Sequence, residues 1–243
     1  MGRLLGSLSV GDRVKLNERG VPQKYIFLEK DHYGIGTGSI LIREFVFSTH
    51  IFSYQCSYYE GSYIDVLCDI IYPQLFDLDL QKALKAVPIL IAIKVASGYY
   101  NFSDFTTVYR RGFLLSITEL GYTKENYNVE GNAFSYFDSP EKCRALIKED
   151  PSQTRGLTHW TRSYNAAGNK IGNFYYDTRT NNGIGESTPG TSSVQYVRPV
   201  FALNSDITVS SSTDSDGCYT IESIPAAGSG SVYVKNNGVW VQS

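Results

Sequence analysis

A chain of 243 residues carrying 22 basic and 24 acidic side chains, net charge −2, has room for one large domain and lacks the basic surplus of a nucleic-acid binder. Its 42% hydrophobic share supports one real core. No apolar run approaches the ~20 residues that span a bilayer: the longest, Val87 to Ile93, is short and interrupted by Pro88.

Met1 to Gly6 has no apolar core for a secretion signal, and Gly6 stands where myristoylation needs Ser or Thr, so synthesis in the cytoplasm without membrane insertion is expected. Val10 to Leu16 alternates like a half-buried strand, Glu18-Arg19-Gly20 turns the chain, and Tyr25 to Leu28 runs back. After the glycine-rich Gly34 to Gly38, Ile40 to Ile42 is a further strand. That glycine run lacks the third glycine of the dinucleotide fingerprint and the lysine of a phosphate loop.

Ser62 caps a predicted helix that places Ile64, Leu67, Cys68 and Ile71 on one face and stops at Pro73. Asp77 caps a second, with Leu80, Leu84 and Val87 at helical spacing, ended before Pro88. Gly112 to Leu115 is a short buried strand. Ser139-Pro140-Glu141 starts a third helix that turns Cys143, Leu146 and Ile147 inward.

Ser163 to Tyr196 reads as a long ordered loop region. Its large aliphatics are Ile171, Ile184 and Val194; Asn, Thr, Ser, Gly and Tyr make up most of the rest. Val197 to Leu203 closes it as a strand. Polar stretches at 210–217 and 225–230 flank a strand at Cys218 to Ile221. At the end Val232 to Lys235 and Val239 to Val241 flank Asn237-Gly238, a strong hairpin signal. The expected organisation is one domain over 1–209, then a polar linker and terminal β-hairpin over 210–243.

Four scattered cysteines (Cys56, Cys68, Cys143, Cys218) and three dispersed histidines (His32, His50, His159) make no zinc pattern, and reduced, buried thiols are expected. Hydrolase elbow, metalloprotease and phosphate-loop signatures are absent, so no catalytic residue, metal or cofactor is assigned. Asp65, Asp69, Asp77 and Asp79 read as helix caps and solvated faces. Trp160 reads as core, and Arg162 and Arg198 as structural guanidinium groups serving backbone carbonyls under the long loop.

Thr158-His159-Trp160-Thr161-Arg162-Ser163 and Val197-Arg198-Pro199-Val200 resemble the W-L-R-S and V-R-P-A motifs of an uncharacterised domain family of phage and prophage structural proteins. Leu75-Phe76-Asp77, Gly112 to Gly121 ("F-L-L-S … E-x-G") and Gly131 to Phe137 ("G-x-x-x-S-Y-F") are similar to further blocks of it, and the likeness spans most of 8–205. Thr161 replaces the usual leucine, His159 an aromatic, and Tyr164 a proline. The resemblance implies an α+β, C-type-lectin-like domain with short mixed or antiparallel sheets and two to three helices. It is related to retroelement-diversified receptor-binding proteins and to sulfatase-modifying-factor folds. The formylglycine-generating relatives use a cysteine pair late in the domain, where this chain has Cys218.

With 19 Tyr against 12 Phe, many rings carry a polar handle. In the loop region Tyr164, Asn165, Asn169, Asn173, Tyr175, Tyr176, Thr178, Asn181, Asn182 and Tyr196 form the candidate ligand face. Rigid amphipathic rings give contact area at low entropy cost, and amides give adaptable hydrogen bonds. Asn codons are adenine-rich and single changes lead to Tyr, Ser and Asp, so adenine-directed diversification is an added expectation. With what the resemblance implies, these features lead to the expectation of a homo-oligomeric tail or particle protein, assembled with other particle proteins, that binds a host-surface glycan or protein. The alternatives are a purely structural virion component and a formylglycine-type enzyme relative.

Overall fold

The computed structural model describes residues 2–53, 58–94, 100–122, 129–139, 141–147, 157–165, 170–176, 184–187, 192–225, 233–236 and 239–242. At 94, 100–104, 164, 165, 170–176, 184–187 and from 233 onward it gives the backbone course alone. Strand far outweighs helix, within an α+β arrangement.

The main sheet is nine-stranded. Its order is Arg3–Leu4, Thr208–Val209, Cys218–Ser223, Arg13–Glu18, Val21–Lys30, Ser39–Arg43, Val200–Leu203, Leu84–Lys85, with Gly112–Phe113 also pairing to Val200–Leu203. The three central strands are buried on both faces, which is why they read as near-continuous apolar runs. Period two then divides their side chains between two cores. Ile26, Leu28, Ile40, Ile42, Val200 and Ala202 enter one; Tyr25, Phe27, Leu41, Phe201 and Leu203 enter the other. At the edge of these strands Gly38 has φ +97°, and a Cβ there would lie 2.4 Å from the Leu203 carbonyl oxygen, so only glycine fits.

Helical chain packs on both cores, its first part (Ile64, Leu67, Cys68) against the first and its later part (Tyr72, Leu75, Leu80) against the second. Ser62 Oγ accepts from Asp65 N (3.1 Å), and Tyr63–Val66 continues through a π-turn, Leu67–Ile71, into a 3-10 turn, Tyr72–Leu75. The next helix is Leu78–Ala83. It ends short of the predicted Val87, because Leu84 leaves it to pair with Leu203 and Val87–Lys94 is a strand. Asp77 is the N-cap by position, yet its side chain caps nothing. The predicted third helix is not formed: Ser139 and Glu141 carbonyls accept from Lys142 and Arg144 N in simple turns, and Leu146 bridges to Phe45. Cys143 is buried and Ile147 exposed there.

Val87–Lys94 and Tyr100–Arg110 form a two-stranded hairpin that closes the first core with Val87, Ile89, Ile91 and Val108. It is locked to the first helical run by ions. Arg110 Nε and Nη2 donate to Asp65 Oδ1 (2.7 Å) and Oδ2 (2.8 Å), and Arg111 N donates to Asp69 Oδ1 (2.8 Å). Asp65 and Asp69 are therefore buried partners rather than a solvated face.

A second, five-stranded sheet has the order Ile184–Ser187, Lys170–Tyr176, His159–Asn165, Val194–Val197, Ser48–Ile51. The stretch read as a long loop thus contains paired strands. The stretch read as one strand, 197–203, is divided: Val194–Val197 belongs to this sheet and Val200–Leu203 to the main one. Its antiparallel partners divide at the same level, Ser48–Ile51 from Ser39–Arg43. One two-stranded ribbon therefore passes from sheet to sheet, breaking at Arg198-Pro199.

Cys218–Ser223 runs parallel to Arg13–Lys15 with Cys218 fully buried, so the main sheet continues past residue 209 into the segment read as a linker. Farther on, Tyr233–Asn236 pairs antiparallel with Val239–Gln242. Cys68, Cys143 and Cys218 are free thiols, and Cys56 lies outside the described residues. Among the described residues no helix is long and apolar enough to cross a membrane.

Candidate functional site

The base of the second sheet is set by His159–Asn165, whose residues 159–163 are all buried. Trp160 packs edge-on against Phe52 (centroids 5.3 Å apart), and its indole Nε1 donates to the His50 carbonyl (2.8 Å). A ring that large can be enclosed only if its N–H has such a partner.

Arg162, 1% exposed, uses all five of its N–H donors. Nε donates to Leu90 O (3.0 Å). Nη1 donates to Leu114 O (2.8 Å) and Glu119 Oε2 (2.5 Å). Nη2 donates to Glu119 Oε1 (2.6 Å) and Glu130 O (3.3 Å). The planar fork thereby ties the hairpin strand, the segment after Phe113 and the chain at Glu130 to one point. Glu119 is as fully engaged, taking Ser116 N (3.0 Å) and the Tyr33 hydroxyl (2.9 Å) besides the guanidinium. The bidentate carboxylate holds Arg162 above its ordinary range against a large desolvation cost. With no donor left over, this arginine has nothing to offer an anionic ligand.

Arg198 sits at the break between the sheets. Its Nε donates to the Arg43 carbonyl (2.9 Å) across the ribbon, while Arg43 N donates to Pro199 O (3.1 Å). Burial lowers the Arg198 pKa, and among the described residues Nη1 is enclosed without a hydrogen-bond partner. Its charge, added to burial, depresses the neighbouring His159 to about 3, so that imidazole is neutral at any working pH.

Of the candidate ligand face, Tyr164 and Asn165 end the buried strand, opposite Ile171 and Lys170. Asn173, Tyr175 and Tyr176 lie in the next strand, opposite Ser187, Gly185 and Ile184. Tyr196, half-buried, is opposite Thr49 on one side and runs parallel to His159 on the other, with Tyr196 N donating to Thr158 O (3.2 Å). Asn169, Thr178, Asn181 and Asn182 lie outside the described residues. The strands that open and close the segment are thus direct neighbours, and the chain between them leaves from and returns to one place. Thr49 and Ile51, on the same sheet face as Tyr196 and Val194, extend this surface beyond the residues named from sequence.

Sequence reading missed Glu119 and Glu130, the partners of Arg162 and Ser163, and Ser116, whose Oγ donates to the Glu130 carbonyl (2.6 Å). A signal was present: Ser116 and Glu119 belong to the "F-L-L-S … E-x-G" block, and Glu130 immediately precedes the "G-x-x-x-S-Y-F" block. The separate motif blocks converge on one buried network. Among the described residues no group of three or more His, Cys, Asp or Glu is placed to hold a metal.

No curated protein and no solved structure matches this chain. A family match does cover residues 37–205, a span that holds Arg162, Glu119, Glu130, Arg198 and the whole Tyr/Asn-rich segment. The chain belongs to that family, described as a domain of unknown function (DUF6273).

Proposed function

We propose that this chain is a non-enzymatic receptor-binding component of a phage tail or tail-like particle, holding a host-surface glycan or protein on the face built from 164–196. The observation that carries the reading is the pairing of His159 with Tyr196, which brings both roots of the Tyr/Asn-rich segment together on a locked base. Trp160, Arg162 and Arg198 fix that base through groups already engaged within the fold. A segment rooted in this way can change sequence without disturbing the core, and a rigid base spares the ligand the entropy of ordering it. The C-type-lectin-like assignment belongs to this proposal, supported by the same arrangement of a variable segment between two fixed strands. Tyr and Asn supply the contact chemistry of a paratope.

The test is retention of host cells or purified envelope by the full chain, alone and with Tyr164, Tyr175 and Tyr176 changed together to Ala. The native chain is expected to bind, and the triple variant to lose binding with little change in melting, since aromatic anchors carry most interface energy. Retained affinity in the variant places the ligand elsewhere. Failure of the native chain to retain any envelope fraction or glycan favours a purely structural particle component.

A further inference from the structure

Beside Arg162 lies a second carboxylate. Glu130 is fully buried, and among the described residues its carboxylate receives two neutral donors: Ala92 N at Oε1 (3.0 Å) and the Ser163 hydroxyl at Oε2 (2.8 Å). The charged groups that face it are Arg162, from the strand His159–Asn165, and Glu119, from the turn after Ser116. From the strand Val87–Lys94 comes the Ala92 N–H alone, and Tyr33 reaches the cluster through Glu119. One guanidinium therefore stands between two enclosed carboxylates, and Glu119 holds both of its forward-pointing nitrogens.

Two anions against one cation in a dry site leave one negative charge uncompensated, and such a site sheds it by taking up a proton. Glu119, with four donors, is the carboxylate that the guanidinium pairs with. Glu130, with two neutral donors, takes the proton. We propose that Glu130 is a protonation latch at the root of the binding segment: protonated, it leaves the site around Ser163 dry and closed, and on ionisation its enclosed charge draws in water and loosens the strand end that leads into Tyr164. Burial pushes its carboxyl up to about 7, opposed by Arg162 and the two hydrogen bonds.

The release has a defined route. Ionised Glu130 needs further donors, and every Arg162 N–H is engaged, so donors come only from admitted water or from breaking the Glu119 bridge. Ser163 is the last buried residue of this arrangement: its Oγ also accepts from Ile117 N (2.9 Å), and the next residue is Tyr164. That ionisation also tunes ligand binding rests on the reading of 164–196 as the ligand face; the latch itself does not.

The experiment uses the full chain without ligand, so its outcome is independent of whether 164–196 binds anything. Infrared spectra of chain labelled with isotopic glutamate should show a protonated, buried carboxylic acid at about pH 5 that disappears by about pH 9, with a midpoint near neutrality. Glu130→Gln, uncharged and close in shape to the protonated carboxyl, should lack the band. Amide exchange at 159–163, corrected for intrinsic rates, should speed up by about tenfold across that range in the native chain, and stay flat in Glu130→Gln. A native spectrum with no such band overturns the proposal without any variant. So does equal pH dependence of exchange in the two proteins.

Discussion

Replacing Arg162 by Met keeps the buried stem and removes all five N–H groups at once, so it isolates the polar contribution from cavity formation. Two losses follow from the geometry. Glu119 is left ionised and enclosed without its bidentate partner, a situation that costs about 3–5 kcal/mol. The carbonyls of Leu90, Leu114 and Glu130 lose a donor, each at about 1 kcal/mol or more when buried. Allowing for shared relaxation, the variant should lose about 5–7 kcal/mol, a large part of a typical domain's stability. Roughly 2–4 °C per kcal/mol for a chain of this size puts the melting point about 10–28 °C lower.

The decisive measurement is a double-mutant cycle with Glu119→Gln, by urea unfolding at about pH 7 with tryptophan fluorescence as the probe. In the native background Glu119→Gln weakens a good ion pair and should destabilise. In the Arg162→Met background it removes a stranded charge, while Gln still accepts from Ser116 N or Tyr33, and it should stabilise by about 2 kcal/mol. The sign must invert between backgrounds. If Arg162→Met unfolds within about 1 kcal/mol of the native protein, or if Glu119→Gln has the same effect in both backgrounds, the network is not what holds the base of the sheet.

Two further outcomes follow. A chain ended at 225 should melt as a cooperative unit, whereas one ended at 209 should lose about 3 kcal/mol or more, because Arg13 to Lys15 forfeit their parallel partner and the core loses the buried Cys218 side chain; equal melting of the two would restore 209 as the domain end. His159, neutral when folded and titrating near its ordinary value when unfolded, binds more protons in the unfolded chain between about pH 6.5 and 3, so its contribution is lost as pH falls through that window. Glu130 has the opposite sign: its raised pKa stabilises the fold at low pH, and that stabilisation is lost as pH rises from about 4.5 through 7. The stability gap between native protein and His159→Gln should therefore narrow toward acid by a few kcal/mol, measured by urea midpoints at about pH 7 and pH 4, and a constant gap would refute the buried, neutral assignment.

The legible parts of the fold are those in which local pattern and tertiary role agree. Ile40 to Ile42 and Tyr25 to Leu28 are β-favouring, and burial on both faces makes any strand register there acceptable to a core. Ser62 is legible because a cap is a local bond between near neighbours. Ser139-Pro140-Glu141 has the same kind of local signal, but Leu146 is drawn into a bridge with Phe45 and Leu157 N takes the Ala145 carbonyl, so tertiary pairing overrides helix propensity. Leu84 and Val87 fit a helical period and a strand equally well over so short a run, and nothing local decides between them. Tyr100–Arg110 carries no local signal of its own in the sequence. Its alternation has meaning only against the partner strand Val87–Lys94, of which the sequence pattern places Val87 alone, at the end of a helix.

The base of the candidate site shows the same division more sharply. Trp160, Arg162 and Arg198 stand out as residue types that are seldom idle when enclosed, but what they do depends on partners remote in the chain. Glu119 is 43 residues before Arg162, and Glu130 is 33 before Ser163. No spacing rule links groups that meet only after two sheets have formed. The count of charges does link them. A buried guanidinium with one bidentate carboxylate is balanced, and a second enclosed carboxylate must either find another cation or carry a proton. Such a balance identifies Glu130 from the completed fold, whereas in the sequence it is one acid among 24. The chemistry that can respond to its surroundings lies in that carboxyl, next to an arginine whose every N–H is engaged.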